Sequence, residues 1–418
     1  MKLKLGLILI LLVTTQLMSL GQVPGFFMKK EKRKQVIPFL ASNSLIIVPV
    51  SINGNPPLNF LIDTGVRSNL MFSKAIGDEL GLQYTRKIKL MGVDGISVLQ
   101  ATVSPANTLD LGDVEGVFQN ILVLDEDFLE MESLIGVPVY GIIGYEFFKR
   151  NPVKIDYDAG LMYFYRADVG KRKPLFYHQI DLSIEEEKPF IKAKILQKDG
   201  SELLAKLLID TGANHAILLN KETSDLIKLP PETFETELGQ SLGGALYGQI
   251  GRVNSLTLSA LRFKEVLTSY PDENLFSHIL KESGRQGSLG AEVLGRTRLI
   301  VDYPRNRLLM RKGEDFYLPF EFDMSGIILK KTLQDEPVYY VSGLRKDSPA
   351  ALVGILENDE IRTVNKIPAF LWQMPALNKL FRSKEGNVID LEIRRYPEGN
   401  FGAEYQDLKF RIVLQKQI

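Results

Sequence analysis

The apolar residues of this chain come in short β-branched runs broken by turn residues, and the pattern occurs twice. "SLIIVPVSING" and "PPLNFLID" are strand-like runs on either side of an Asn-Gly-Asn-Pro-Pro turn, which predicts a hairpin that delivers Asp63 at the end of a strand. Later, "KPFIKAKILQKDG" and "SELLAKLLID" flank a Lys-Asp-Gly turn and deliver Asp210 in the same way. After each aspartate comes a glycine-punctuated apolar stretch, "IKLMGVDGISVLQATV" in the first half and "SLGGALYGQIGRVNSLTL" in the second; both predict β-hairpins with flexible tips.

The repetition extends to sequence. "FLIDTG" at 60–65 matches "LLIDTG" at 207–212, and "GIIGYEFFKRNPVKIDYD" from Gly141 matches "GSLGAEVLGRTRLIVDYP" from Gly287. A chance Asp-Thr-Gly is expected only about 0.1 times in a chain of this length, so two copies with parallel flanks indicate duplication. Two large units, rather than many short ones, predict two lobes facing each other across an approximate two-fold axis, as in a fused homodimer. Two carboxylates brought together by such an axis cannot both ionise readily, so one is held protonated and the pair shares a proton. The ionised member can then take a proton from water while the protonated one hydrogen-bonds an amide carbonyl. Gly65 and Gly212 allow a tight turn close to the carboxylates, and the Thr64 and Thr211 hydroxyls can bond across the lobe interface.

On these residues the chain resembles the retropepsin-like aspartic proteases, in single-chain form with two Asp-Thr-Gly lobes, over roughly Ser44 to Arg311. In that family an apolar strand ending in Asp-Thr-Gly is followed by a flap hairpin and then by an apolar-apolar-Gly segment. Here those segments are Ile142, Ile143 and Gly144 in the first half, and Ser288, Leu289 and Gly290 in the second. The resemblance implies an all-β pseudo-two-fold bilobal acid-protease fold, Asp63 and Asp210 as a catalytic dyad supported by Thr64, Gly65, Thr211 and Gly212, and a peptide substrate held beneath flaps. Gly92, Val93, Gly244 and Tyr247 are the flap candidates. Two departures stand out: Val66 and Arg67 follow the first Asp-Thr-Gly where Ala213 follows the second, and Ser288 interrupts the second apolar pair.

The expected lobes cover residues 44–170 and 171–315, and a small α+β domain covers 322–418. That last part resembles a PDZ domain of the bacterial type, through "DSPAALVGILENDEIRTVN" and "LNKLFRSKEGNVIDLEIRR". The resemblance implies that Met324, Ser325, Gly326 and Ile327 form a carboxylate-binding loop, with Leu377 and Leu380 lining a groove for the C-terminal peptide of a partner. At the other end, Lys2 and Lys4 precede the apolar run "LGLILILLVTTQLMSLG", a secretory signal pattern over residues 1–21. The expectation is export to a bacterial periplasm or cell envelope, with membrane attachment only if that segment is not cleaved, and residues 22–43 as a solvated lead-in.

Composition narrows the chemistry further. Lys plus Arg and Asp plus Glu are both 51, so no overall field recruits nucleic acid. There is no cysteine, no Gly-x-Ser-x-Gly elbow, no phosphate-binding loop and no dinucleotide fingerprint. His178, His215 and His278 lack metal-ligand spacing, so neither metal nor cofactor is expected, and His215 is read as a bystander near Asp210. Glu146 and Glu292 are read as structural, each on a short surface helix. The reading is an aspartic endopeptidase; the alternative is a non-catalytic peptide-binding or scaffolding protein of the envelope on the same fold.

Overall fold

In the computed structural model of the chain, the described residues are 23–91, 98–125, 131–241, 244–273, 277, 280–281, 283–332, 338–397 and 404–418. They form mostly β-sheet with a few short helices. The predicted segment 1–21 lies outside them, as do the tip residues Gly92 and Val93.

In the first lobe, strand Leu45–Ile52 turns through Asn53 and Gly54, both with positive φ, the backbone that a tight hairpin turn demands. It returns as Leu58–Ile62, whose last three residues are buried. That strand is central to its sheet: Leu45–Ile52 lies antiparallel on one side and the short strand Gly141–Ile143 parallel on the other. The second lobe repeats the arrangement, with Glu202–Ile209 between antiparallel Lys188–Leu196 and parallel Gly287–Leu289. Each aspartate therefore follows a buried strand held on both edges.

A third sheet joins the lobes. Strands Val153–Asp156 and Thr297–Asp302 run antiparallel to each other, with Val153 opposite Val301 and Ile155 opposite Leu299. Since Val153 and Ile155 are the repeat counterparts of Leu299 and Val301, this pairing is self-complementary, as a two-fold interface must be. One continuous apolar core, including Ile62, Ile143, Ile209 and Leu289, runs through both lobes.

The lead-in is not a free tail. Phe26 is fully buried against Phe147, with ring centroids 5.3 Å apart. Gly25–Met28 pairs with Val114–Leu124, and Lys34–Pro38 extends the joining sheet beside Leu161–Tyr165. The basic residues between them are solvated, as their charge dictates, but the apolar residues at each end bring the segment into the sheets.

From Met324 onward the chain has its own core, with Tyr339, Val341, Leu377, Phe381 and Ile389 buried together. Its strands Ile327–Lys331, Tyr339–Leu344, Glu360–Val364, Val388–Arg395 and Gln406–Val413 form one antiparallel sheet, with helices Pro349–Leu352 and Met374–Phe381. This unit is docked on the first lobe. Helix Met131–Ile135 lies beside the edge strand Ile327–Lys331, and Asn378 Nδ2 donates to Asn43 Oδ1 at 3.4 Å. Gly136, at φ +81°, packs so closely that a methyl group there would come within 2.6 Å of Met374 Cβ. Gly136→Ala combines left-handed strain with this overlap and is expected to destabilise the docked state by about 1–3 kcal/mol. A lower unfolding temperature and faster limited proteolysis of the connection at 313–323 would show it; an unchanged digestion pattern would contradict it.

Candidate functional site

The two Asp-Thr-Gly turns meet at the centre of the bilobal body. Asp63 N–H donates to Ile143 O at 3.0 Å and Asp210 N–H donates to Leu289 O at 3.0 Å, so the parallel strand pairing carries straight through to the aspartates. Behind each turn sits the glycine that ends the neighbouring strand. A methyl group on Gly144 would fall 2.5 Å from Val66 O, and one on Gly290 would overlap His215 O. Only a bare glycine lets the two backbones approach this closely.

The threonines lock the lobes together. Thr64 Oγ1 donates to Ile209 O of the other lobe at 2.7 Å and accepts Thr211 N–H at 3.1 Å. Thr211 does the reverse, donating to Ile62 O at 2.9 Å and accepting Thr64 N–H at 3.1 Å. Both threonines are buried, so these four bonds are made away from water and fix the separation of the turns.

The aspartates sit inside this lattice. Gly65 N–H donates to Asp63 Oδ1 at 2.6 Å, and Gly212 N–H donates to Asp210 Oδ1 at 3.2 Å. The glycines also face the opposite carboxylates: a methyl on Gly65 would lie 3.0 Å from Asp210 Cγ, and one on Gly212 would overlap Asp63 Oδ2. Burial, then the charge of the adjacent Asp210 and a hydrogen bond with it, raise the Asp63 pKa well above the usual carboxylate value, against the opposing backbone donors Gly65 and Gly212. One carboxyl of the pair therefore keeps its proton where a free aspartate would have lost it.

His215 does not join the pair. It is turned away to Ser288 Oγ, 2.9 Å from its Nε2, and burial lowers its pKa to about 4, so it is neutral at ordinary pH. The serine that interrupts the second apolar pair thus gives a half-buried imidazole its partner. Glu146 and Glu292 lie on short helices and pair with cations of those helices, Lys149 at 2.7 Å and Arg296 at 3.7 Å. Gly244 and Tyr247 lie on a long hairpin in which Phe234–Ser241 pairs with Gly244–Leu258, and the Tyr247 ring is 57% exposed. The corresponding first hairpin, Lys87–Met91 with Val98–Leu111, brings up exposed Met91 and Val98.

Sequence reading singled out neither Lys188 nor Arg285, yet both stand close enough to Asp210 for its charge to act on theirs. Their counterparts in the repeat are Leu45 and Val139, so aligning the two halves by strand register would have flagged the change in charge. In the C-terminal unit, Met324 and Ser325 are buried. Gly326 N–H donates to Asp323 Oδ1 at 2.6 Å, and Ile327 N–H donates to Ser325 Oγ at 3.1 Å. The two donors expected to meet a peptide carboxylate are thus already bonded within the chain.

Comparison with known proteins agrees with the geometry. Residues 48–147 and 192–293 each match a family model described as aspartyl protease, one segment around each Asp-Thr-Gly. This match supports an aspartyl protease family and protease activity in general. No curated protein matches the chain.

Proposed function

We propose that the chain is a retropepsin-like aspartic endopeptidase in single-chain form, with Asp63 and Asp210 as its catalytic dyad. The observation that carries this reading is the pair of aspartates held across the lobe interface by the reciprocal Thr64 and Thr211 hydrogen bonds. The carboxyl of the pair that holds the shared proton donates a hydrogen bond to the scissile carbonyl, and the ionised one takes a proton from a water lying between them. Hydroxide adds to the carbonyl carbon while the protonated carboxyl passes its proton to the carbonyl oxygen, giving a tetrahedral diol and leaving the water's proton on the other carboxyl. Proton transfer to the amide nitrogen then breaks the C–N bond, releasing an amine and a carboxylic acid and returning one proton to the pair. The chain's own residues are sufficient for these steps.

In this reading the two long hairpins are flaps over an extended peptide, with Gly244 and Tyr247 on the second. The C-terminal unit is a PDZ domain: it has an edge strand, Ile327–Lys331, that shares one core with a helix, Met374–Phe381, and a glycine loop at Gly326. Its loop is closed on Asp323 and its edge strand lies beside the protease lobe. Capture of a partner's terminus would therefore require those contacts to exchange. Lys2, Lys4 and the apolar run after them support export to the envelope.

The test is a mixed peptide library incubated with the protein across about pH 4 to 8. Cleavage at internal bonds is expected, declining as pH rises through the elevated pKa of Asp63, because the acid form is then lost. No cleavage at any pH by folded protein would return the reading to a peptide-binding protein on the same fold.

A further inference from the structure

The two-fold repeat gives every position near the dyad a counterpart, and at two positions the counterparts differ in charge. In the first lobe Ile47 pairs with Leu61, and continuing that register by two residues sets Leu45 across from Asp63. In the second lobe Phe190 pairs with Leu208, and the same continuation sets Lys188 across from Asp210. The parallel strands behave alike. Gly141 pairs with Phe60 and Gly287 with Leu207, so Val139 and Arg285, each two residues earlier, are also equivalent. Leu45 and Val139 are buried in one apolar cluster with Leu61 and Ile142. Their counterparts are two half-buried cations.

These cations have no counter-ion of their own. Arg285 Nε donates to Gly287 O at 2.9 Å, but among the described residues neither Arg285 nor Lys188 forms an ion pair. The neighbouring Arg67 differs: it reaches Glu186 O at 3.0 Å and the Glu186 and Glu187 carboxylates at 3.6 and 3.2 Å. Burial lowers the basicity of both Lys188 and Arg285, with Arg285 and Arg67 adding to the effect on Lys188; Glu186 and then Asp210 oppose it at Lys188, and Asp210 opposes it at Arg285. Desolvating two cations that have no ion pair, with the Glu186 carboxylate already reaching Arg67, is costly unless another anion completes the arrangement. Lys188 lies opposite Asp210 in the strand register, and the Arg285 side chain turns along its strand towards Gly287, so both cations stand on the Asp210 side of the pair.

We propose that Lys188 and Arg285 form a cationic subsite beside Asp210, so that the chain prefers peptides with a Glu or Asp side chain on one side of the scissile bond. The carboxylate meets the ammonium of Lys188 and the planar fork of Arg285, which suits paired hydrogen bonding. This inference rests on the peptide-hydrolysis reading for its catalytic part and on binding alone for its specificity.

The experiment uses the full chain and matched peptides with Glu, Gln or Leu at one internal position, placed beside the cut bond when a library digest gives one and otherwise in the library peptide that binds tightest. Wild type is expected to favour Glu over Gln by about tenfold to a hundredfold in kcat/KM, less at high salt. Lys188→Met and Arg285→Met should each bring that ratio towards one, and Lys188→Arg should retain it. In parallel, calorimetric titration of Asp63→Asn with the uncut Glu and Gln peptides reads the same preference without chemistry. A Glu preference in binding with no cleavage by wild type would uphold the subsite and sink the protease reading. Cleavage without a Glu preference would overturn the subsite and leave the protease reading intact. Variants that slow Glu and Gln peptides in equal proportion would overturn it too, since the cations would then serve only the dyad.

Discussion

Asp63→Asn should abolish peptide cleavage, by about a thousandfold or more, and at the same time raise the unfolding temperature at neutral pH. The loss follows because the amide matches the carboxyl in shape and still accepts Gly65 N–H, but cannot give up and regain a proton. The gain follows from linkage. Asp63 has a folded-state pKa raised first by burial and then by Asp210, so between the unfolded value and the folded one the native state binds more protons than the unfolded state. Stability is therefore highest below the unfolded pKa, falls as pH rises through the folded pKa, and carries the whole penalty above it. Asparagine has no charge to desolvate and removes that penalty. Thermal unfolding of both proteins at about pH 3.5 and pH 7 checks this: the variant's advantage should be present at the higher pH and absent at the lower. A variant less stable than wild type at neutral pH would mean that Asp63 serves the fold rather than the chemistry.

The Asp-Thr-Gly turns were legible because their chemistry is local and duplicated. Asp63, Asp210, Thr64 and Thr211 are each positioned by a run of five or six residues that the sequence repeats almost unchanged, and a two-fold axis follows from repetition alone. The interlobe sheet was hidden for the opposite reason. Lys34–Pro38 reads as a basic lead-in, and only its pairing with Leu161–Tyr165, far along the chain, makes it a strand. Ser288 looked like a flaw until His215, 73 residues away, was found bonded to it. Lys188 and Arg285 carry no local signal, since an unpaired cation and a solvated one are spelled alike; what sets them apart is the register of two strands around Asp210. The engagement of Gly326 N–H was closer to the surface of the text. Asp323 lies three residues before it, and an aspartate followed by serine and glycine favours a side-chain-to-backbone turn.

The repeat is an imperfect two-fold, and the glycines of the two turns show it. A methyl on Gly65 would stand 3.0 Å from Asp210 Cγ, tight but within reach of a small shift; a methyl on Gly212 would overlap Asp63 Oδ2 outright. Little around Gly212 can yield. The preceding Thr211 is bonded through its hydroxyl to Thr64 N–H at 3.1 Å and to Ile62 O at 2.9 Å, and its own N–H is held by Thr64 Oγ1. The strain must then be relieved by displacing the Asp63 carboxyl, and misplacing a reacting group by about 1 Å costs on the order of a hundredfold in rate. Gly212→Ala is accordingly expected to lower kcat/KM by about a hundredfold or more, and Gly65→Ala by about tenfold, because the latter needs only a few tenths of an ångström. Overpacking of this kind costs about 1–3 kcal/mol, so both variants should remain folded. Measuring kcat/KM beside the unfolding temperature of each separates the two effects. Equal activity losses would show that the two turns share one strain symmetrically, and full activity in Gly212→Ala would show that the spacing of the carboxyls is not what the rate depends on.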